Sequence, residues 1–451
     1  MTFKSSREIE GGTAAARGMT YQYRVSAWVA VRILAEAGTS PPWSLPAETT
    51  LDWFRCETED PVDDLLVGTS GGGHVFCQIK HRMYLCKAPN SDFGSALSQC
   101  VRHFAAHGYR AEMQPGERAL DVRSNRLVII AGPRSSAPIR VHLVAVLKRL
   151  RTFAQGQPLG DAATNKEERR ALSVAVSHIK RAWRAEFGTD PSDDEIRSVL
   201  CLIYIQVLDV DEGGNEEREA KDLLRGVVLR NPEQADVAWA KLITLCATFA
   251  AERSGTDRLG LQRILLDAGI DLRAPQSYRE DIERLRRYSG RICKLLSHHA
   301  YIQIGPTRLK IRRRCTDELR RVAESASVVV IGEPGAGKSG ALYDFIEAVR
   351  SDERDFVLLA ADRLAAGSLG ELREELGLRH DLCEILENWP GGRPAFLVID
   401  ALDAARDGLA EKAILDLIRI VVERNARWRV VASIRKFALR YNAELRELFS
   451  G

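Results

Sequence analysis

The chain has 451 residues, 45% hydrophobic and 28% charged, with 34 glycines and 16 prolines. This is globular composition at a length that calls for two to four domains, and it excludes collagen-like and wholly disordered chains. With 65 Lys and Arg against 62 Asp and Glu, the net charge of +3 excludes a histone-like polycation but not a local basic groove. Nine cysteines, odd in number and never spaced C-x-x-C, fit a reduced, cytoplasmic protein. The opening MTFKSSREIEGG lacks the apolar core of a signal peptide, and the apolar runs are strand-sized. No membrane association is expected.

Three regions differ in pattern: 1–155, 156–300 and 301–451. In the first, Val25, Trp28, Val29, Ile33 and Leu34 repeat at helical spacing and predict a helix from about Thr20 to Ala37. Strands are expected at about Leu51–Cys56, Asp64–Val67, Val75–Lys80 and Arg126–Ala131, with TSGGG turning the second into the third. The second region reads as nearly all helix, a connector. Within it Ser192 and Glu195 resemble a capping box that opens a helix over Ile196–Leu208. In the third, Ser327–Ile331, Phe356–Ala360, Ala395–Asp400 and Arg429–Ser433 are short apolar runs separated by helical segments. Such alternation predicts an α/β domain with a parallel sheet covered on both faces.

The strongest chemical signal is Gly332-Glu333-Pro334-Gly335-Ala336-Gly337-Lys338-Ser339, a complete G-x-x-x-x-G-K-[ST] between a strand and a helix. Its glycines let backbone N–H groups wrap a phosphate at a helix N-terminus. Lys338 is expected to reach the β- and γ-phosphates of ATP, and the Ser339 hydroxyl to bind Mg²⁺. Four apolar residues ending in Asp400 describe a buried strand that delivers a carboxylate to the same metal. Asp403 is the candidate for orienting an attacking water, with a helix-capping role as its plain alternative. Arg435, at the end of the fourth strand, is a candidate sensor of the γ-phosphate or else part of a solvated basic turn.

A second loaded stretch runs from Glu57 through Asp63, Asp64 and the TSGGG turn to Gln78-Ile79-Lys80. A hairpin turning near residue 71 sets Asp64 opposite Gln78, and period two puts Gln78 and Lys80 on one face. Asp64, with the carbonyl of Ile79, is then placed to hold Mg²⁺, and Lys80 to position or polarise water against a phosphodiester. Asp63 competes with Asp64, because a one-residue register shift exchanges their faces. Glu57 or Glu59 is a further carboxylate. Cys77, His81 and Cys86 lack a second ligand pair at zinc-finger spacing and read as buried thiols and a surface histidine. Tyr278–Arg321 carries 13 Lys and Arg against 5 Asp and Glu; this local excess reads as a solvated helical adapter or a segment near the nucleotide, with nucleic-acid contact the alternative.

On these motifs two resemblances rest. GEPGAGKS, FLVIDALD with its two spaced aspartates, and VVASIR make residues 300–451 similar to the NACHT-like branch of STAND NTPases, which switch or oligomerise on activation. Such families continue through a fifth strand, a winged-helix region and a sensor domain, so this chain is expected to be a fragment or a truncated form. The Asp64…Gln78-x-Lys80 pattern, after a helix carrying Arg17-Gly-x-x-Tyr21-Gln22, resembles the Mrr-like PD-(D/E)xK nucleases over residues 10–155. Together they imply an anti-phage effector in which an ATPase that forms homo-oligomers controls a Mg²⁺-dependent endonuclease acting on double-stranded DNA. The alternative is a nucleotide-gated scaffold whose N-terminal domain binds nucleic acid or a partner without cutting.

Overall fold

The structure, a computed structural model, describes residues 6–38, 43–46, 48–107, 124–153, 157–304, 306–310, 313, 315–404, 409–425, 427–441, 446–447 and 449. The chain divides into two compact units, Met1–Ile270 and Asp271–Gly451. Among the described residues, no helix is long and apolar enough to cross a membrane.

The first unit is built on a six-stranded mixed sheet. Its strands are β1 (Leu51–Cys56), β2 (Leu65–Thr69), β3 (His74–Lys80), β4 (Arg126–Ala131), β5 (Ile203–Val207) and β6 (Gly255–Asp257), in the order β5-β4-β3-β2-β1-β6. The β2–β3 hairpin is antiparallel with Leu65 opposite Cys77, while β4 runs parallel to both β3 and β5. All six residues of β4 are buried, as a strand covered on both faces requires. Leu127, Ile129 and Ala131 join a core with helix α2 (Asp92–His107) and the helix Lys166–Phe187. A long first helix, α1 (Ser6–Ala35), packs against β1, β3 and the helix Ala235–Glu252. Tyr21 on α1 donates its hydroxyl hydrogen bond to the Leu208 carbonyl at 2.8 Å, and burial raises its pKa. Gly68 in β2 must lack a side chain, because a Cβ there would collide with the Trp53 indole across the strands.

Here the sequence reading needs correction. Ser192–Glu195 does form a capping box, but the helix it opens ends at Leu202 and the chain continues as β5. The run Ile203-Tyr-Ile-Gln-Val207 is β-branched and aromatic, and pairing with β4 overrides the helical reading. With β6 paired to β1, the supposed connector supplies both edge strands of the N-terminal sheet. The boundary between the two units therefore lies at 270/271, and the boundaries expected near 155 and 300 do not separate compact units.

The second unit holds a four-stranded parallel sheet, β9 (Val328–Gly332), β10 (Phe356–Ala360), β11 (Ala395–Asp400) and β12 (Trp428–Arg435), ordered β10-β11-β12-β9. A short hairpin, β7 (Tyr301–Ile304) with β8 (Thr307–Lys310), precedes it. Alternate residues of β11 serve two cores. Phe396 and Val398 pack with Leu342, Phe345 and Ile346 of the helix Lys338–Ser351, while Leu397 and Ile399 pack with Ile414, Leu417 and Ile418 of the helix Leu409–Arg424. The four strands read from sequence are all present, in parallel.

A fragment ending at Ile270 is expected to unfold cooperatively, whereas one ending at residue 155, lacking β5, β6 and the helix on α2, is expected to be insoluble or molten. Circular dichroism during thermal melting of both fragments measures this. Cooperative melting of the shorter fragment would place the boundary back at 155.

Candidate functional sites

The β2–β3 hairpin gathers the first site. Asp64 stands immediately before β2, beyond the last β2–β3 register pair of Leu65 with Cys77, and its carboxylate reaches the Ile79 amide of β3 that this leaves unpaired by β2. Its Oδ2 accepts hydrogen bonds from Gln78 Nε2 at 2.5 Å and from the Ile79 amide at 2.6 Å, and lies 3.9 Å from Lys80 Nζ. The Asp64 side chain is only 9% exposed. Burial raises its pKa above the usual carboxylate range; Lys80, the Ile79 amide and Gln22 of α1 oppose the rise, and Asp63 adds to it. Asp63 itself is reached by Gln99 of α2 at 3.4 Å, so the two aspartates do point to different neighbours and Asp64 is the one beside Lys80. Glu57, at positive φ, carries a pKa raised by burial and then by Asp64. It sits near enough to belong to the same electrostatic group.

A cavity of about 440 Å³ opens here, lined among others by Arg17, Gln22, Ile79, Lys80, Arg82 and Asp92. Arg17 and Gln22 of one motif read from sequence and Ile79 and Lys80 of the other thus line one opening. Arg82 and Asp92 carried no signal of their own in the sequence; Arg82 lies just past β3, and Asp92 enters because α2 packs on the sheet. His81 pairs with Asp211 at 3.0 Å, Cys77 is buried with a raised thiol pKa, and Cys86 is exposed. They form no common ligand cluster.

The second site follows β9. Gly335 and Gly337 hold positive φ, as a loop that curls its N–H groups inward requires. Lys338 Nζ donates to the carbonyls of Gly332 and Glu333 at 2.9 and 3.2 Å, lying along its own loop. Across the sheet, Asp400 Oδ1 accepts from Ser339 Oγ at 3.1 Å and from Ser433 Oγ at 2.7 Å. The strand order explains this convergence, because β12 separates β9 from β11 and its Ser433 fills the gap between the loop and Asp400. Asp403 and Arg435 come together as a pair: the Asp403 carboxylate accepts from the Arg435 amide at 3.0 Å and meets its guanidinium at 3.0 Å. From the basic segment, Arg313 reaches this region, pairing with Asp344 at 3.0 Å and lying so close to Gly340 that a Cβ there would collide with it.

No protein family model matches the chain, and no curated protein matches it. Solved structures with partial likeness include an Acinetobacter baumannii Cap4 SAVED/CARF-domain containing receptor with the cyclic trinucleotide 2'3'3'-cAAA, at 10% identity and a TM-score of 0.31 over 90% of this chain and 64% of that one. A Moraxella osloensis Cap4 SAVED/CARF-domain containing receptor aligns at 12% identity and a TM-score of 0.30 over 85% of this chain and 64% of that one. The chain therefore spans 64% of the length of these two structures. Likeness at such scores does not define a shared fold.

The raised pKa of Asp64 has a sign that can be tested. The folded chain holds this proton more tightly than the unfolded chain, so ionising Asp64 lowers stability as pH rises through its folded pKa. Asp64→Asn is expected to raise the melting temperature at neutral pH by roughly 1–4 °C, with the difference closing in acid. An equal or lower melting temperature at neutral pH would show that the three donors outweigh burial.

Proposed function

We propose that the first unit is a metal-dependent phosphodiesterase acting on double-stranded DNA and that ATP at the second unit controls it, in the manner of an anti-phage effector. The observation that carries the reading is the meeting of Asp64, Gln78, Ile79 and Lys80, the last two of which line the cavity.

The residues fit a hard cation such as Mg²⁺. A strand residue's N–H and C=O point to the same side, so the Ile79 carbonyl shares the edge to which its amide holds Asp64. One carboxylate and one carbonyl oxygen are the donor types that Mg²⁺ takes, with water completing its shell. When bound, the metal would neutralise charge on the scissile phosphate. Gln78 fixes the Asp64 rotamer, leaving Oδ1 free of that bond. Lys80, 27% exposed at the cavity wall, orients a water or the phosphate through its ammonium donors. Arg17 and Arg82 add positive charge where a DNA backbone would lie.

In the second unit, Lys338 would exchange its loop carbonyls for the β- and γ-phosphates of ATP. Ser339 and Asp400, already joined by a hydrogen bond, would hold Mg²⁺. Asp403 and Arg435 occupy each other, so either acts on a γ-phosphate only after their ion pair opens. That pair is a natural point for nucleotide to be felt, and assembly into a homo-oligomer would be its output.

Purified chain incubated with supercoiled duplex DNA, Mg²⁺ and ATP is expected to nick or cut it. Lys80→Ala should lower the rate by roughly 10²-fold or more while leaving ATP binding intact. Equal cutting by the wild type and Lys80→Ala would overturn the nuclease reading.

Lys338→Ala tests the other unit and should abolish ATP binding in a filter or fluorescence assay. If DNA cutting by Lys338→Ala remains at the wild-type rate with and without ATP, nucleotide control is wrong even though the nuclease stands.

A further inference from the structure

The loop that presents Asp64 is tied to α2 by more than the Asp63–Gln99 contact. Asp60 Oδ1 lies 3.0 Å from His107 Nε2, at the last residue of α2. One turn earlier, His103 is wholly buried, and neither of its ring nitrogens has a hydrogen-bond partner among the described residues. Two idle nitrogens on a buried imidazole carry a desolvation cost that nothing described in the protein offsets. Spacing i, i+4 puts His103 and His107 on one face of α2, with ring centroids 4.6 Å apart. Phe76 of β3 packs against both rings, at 4.1 and 6.4 Å, and fixes their planes.

Asp60, His103 and His107 each offer a ligand atom, and these atoms lie within 4.8 Å of one another. Around a tetrahedral ion with bonds of about 2.0 Å, ligand atoms stand about 3.3 Å apart. The Asp60–His107 separation of 3.0 Å is close to that spacing already, and the His103 ligand atom lies within 4.8 Å of both. We propose that Asp60, His103 and His107 form a zinc-class metal site that clamps the Glu57–Asp64 loop onto α2. Two imidazoles and one carboxylate select a borderline transition ion over Mg²⁺, so this site is chemically distinct from the oxygen-lined position at Asp64. His107 is 40% exposed, so the fourth position faces solvent and takes water. The function is positional: a rigid loop keeps Asp64 against Gln78 and Ile79.

The full chain, stripped with chelator and dialysed, is titrated with Zn²⁺ and separately with Co²⁺, and its metal content is measured by mass spectrometry. The expected result is one ion per chain beyond what variants bind, a visible Co²⁺ spectrum without thiolate charge transfer, and a melting temperature raised by Zn²⁺. Asp60→Ala and His107→Ala lie at the surface and His103→Phe refills the buried volume. Each should weaken binding at least about tenfold and lose the Zn²⁺-dependent rise in melting temperature. Cys86→Ser should bind as the wild type does. Wild-type content equal to that of the three variants overturns the site. So does a Co²⁺–thiolate spectrum lost in Cys86→Ser, and preferential retention of iron overturns the zinc assignment.

Discussion

The first unit depends on one carboxylate being held at the end of a strand ladder. Asp64 is buried enough for its pKa to rise, yet it is surrounded by donors that favour its ionised form: an amide N–H, a carboxamide and an ammonium. Burial and donors pull in opposite directions, and burial wins in the protein alone. A cation at the open edge would tip that balance toward the ionised carboxylate. A site that is unfavourable by itself and satisfied by its ligand is how binding energy becomes specific to that ligand.

The second unit resolves the same problem differently. Asp400 is also buried at a strand end, but two hydroxyls, from Ser339 and Ser433, donate to the same oxygen. Hydroxyls both donate and accept, so they can turn away when a metal takes the carboxylate. Lys338 lies on carbonyls of its own loop, and Asp403 lies on Arg435. Every charged group expected to meet a nucleotide thus has an internal partner within reach. Such self-satisfaction keeps the loop formed, and a nucleotide bound there as proposed would compete with it bond for bond.

How much of this was legible in the sequence follows from how local each feature is. The phosphate loop and its four strands were readable because the motif is contiguous and each strand is an unbroken apolar run. The pairing of Asp64 with Gln78 was readable because a tight glycine turn fixes hairpin register. The choice between Asp63 and Asp64 needed the structure, since it rests on where α2 places Gln99. Strands β5 and β6 were missed: one follows a well-capped helix directly and the other has three residues, so neither shows a period. The Asp403–Arg435 pair was seen as two candidates but not as partners, because 32 residues separate them in the chain. His103 and His107 stand at helical spacing in plain view, but their third ligand lies 47 residues from His107.

The missed strands matter most for function. Without β5 and β6, β4 and β1 would be the sheet's edges, and the β2–β3 hairpin would sit one strand from solvent on either side. With them, β2 and β3 are the two central strands of six, which is where a sheet is stiffest and least prone to slip. A one-residue slip of β2 along β3 would set Asp63 opposite Gln78 in place of Asp64. The distant segments therefore bear on the proposed site from outside it. They hold the register on which the meeting of Asp64, Gln78 and Lys80 depends, and a residue-by-residue reading of the motif could not have shown that.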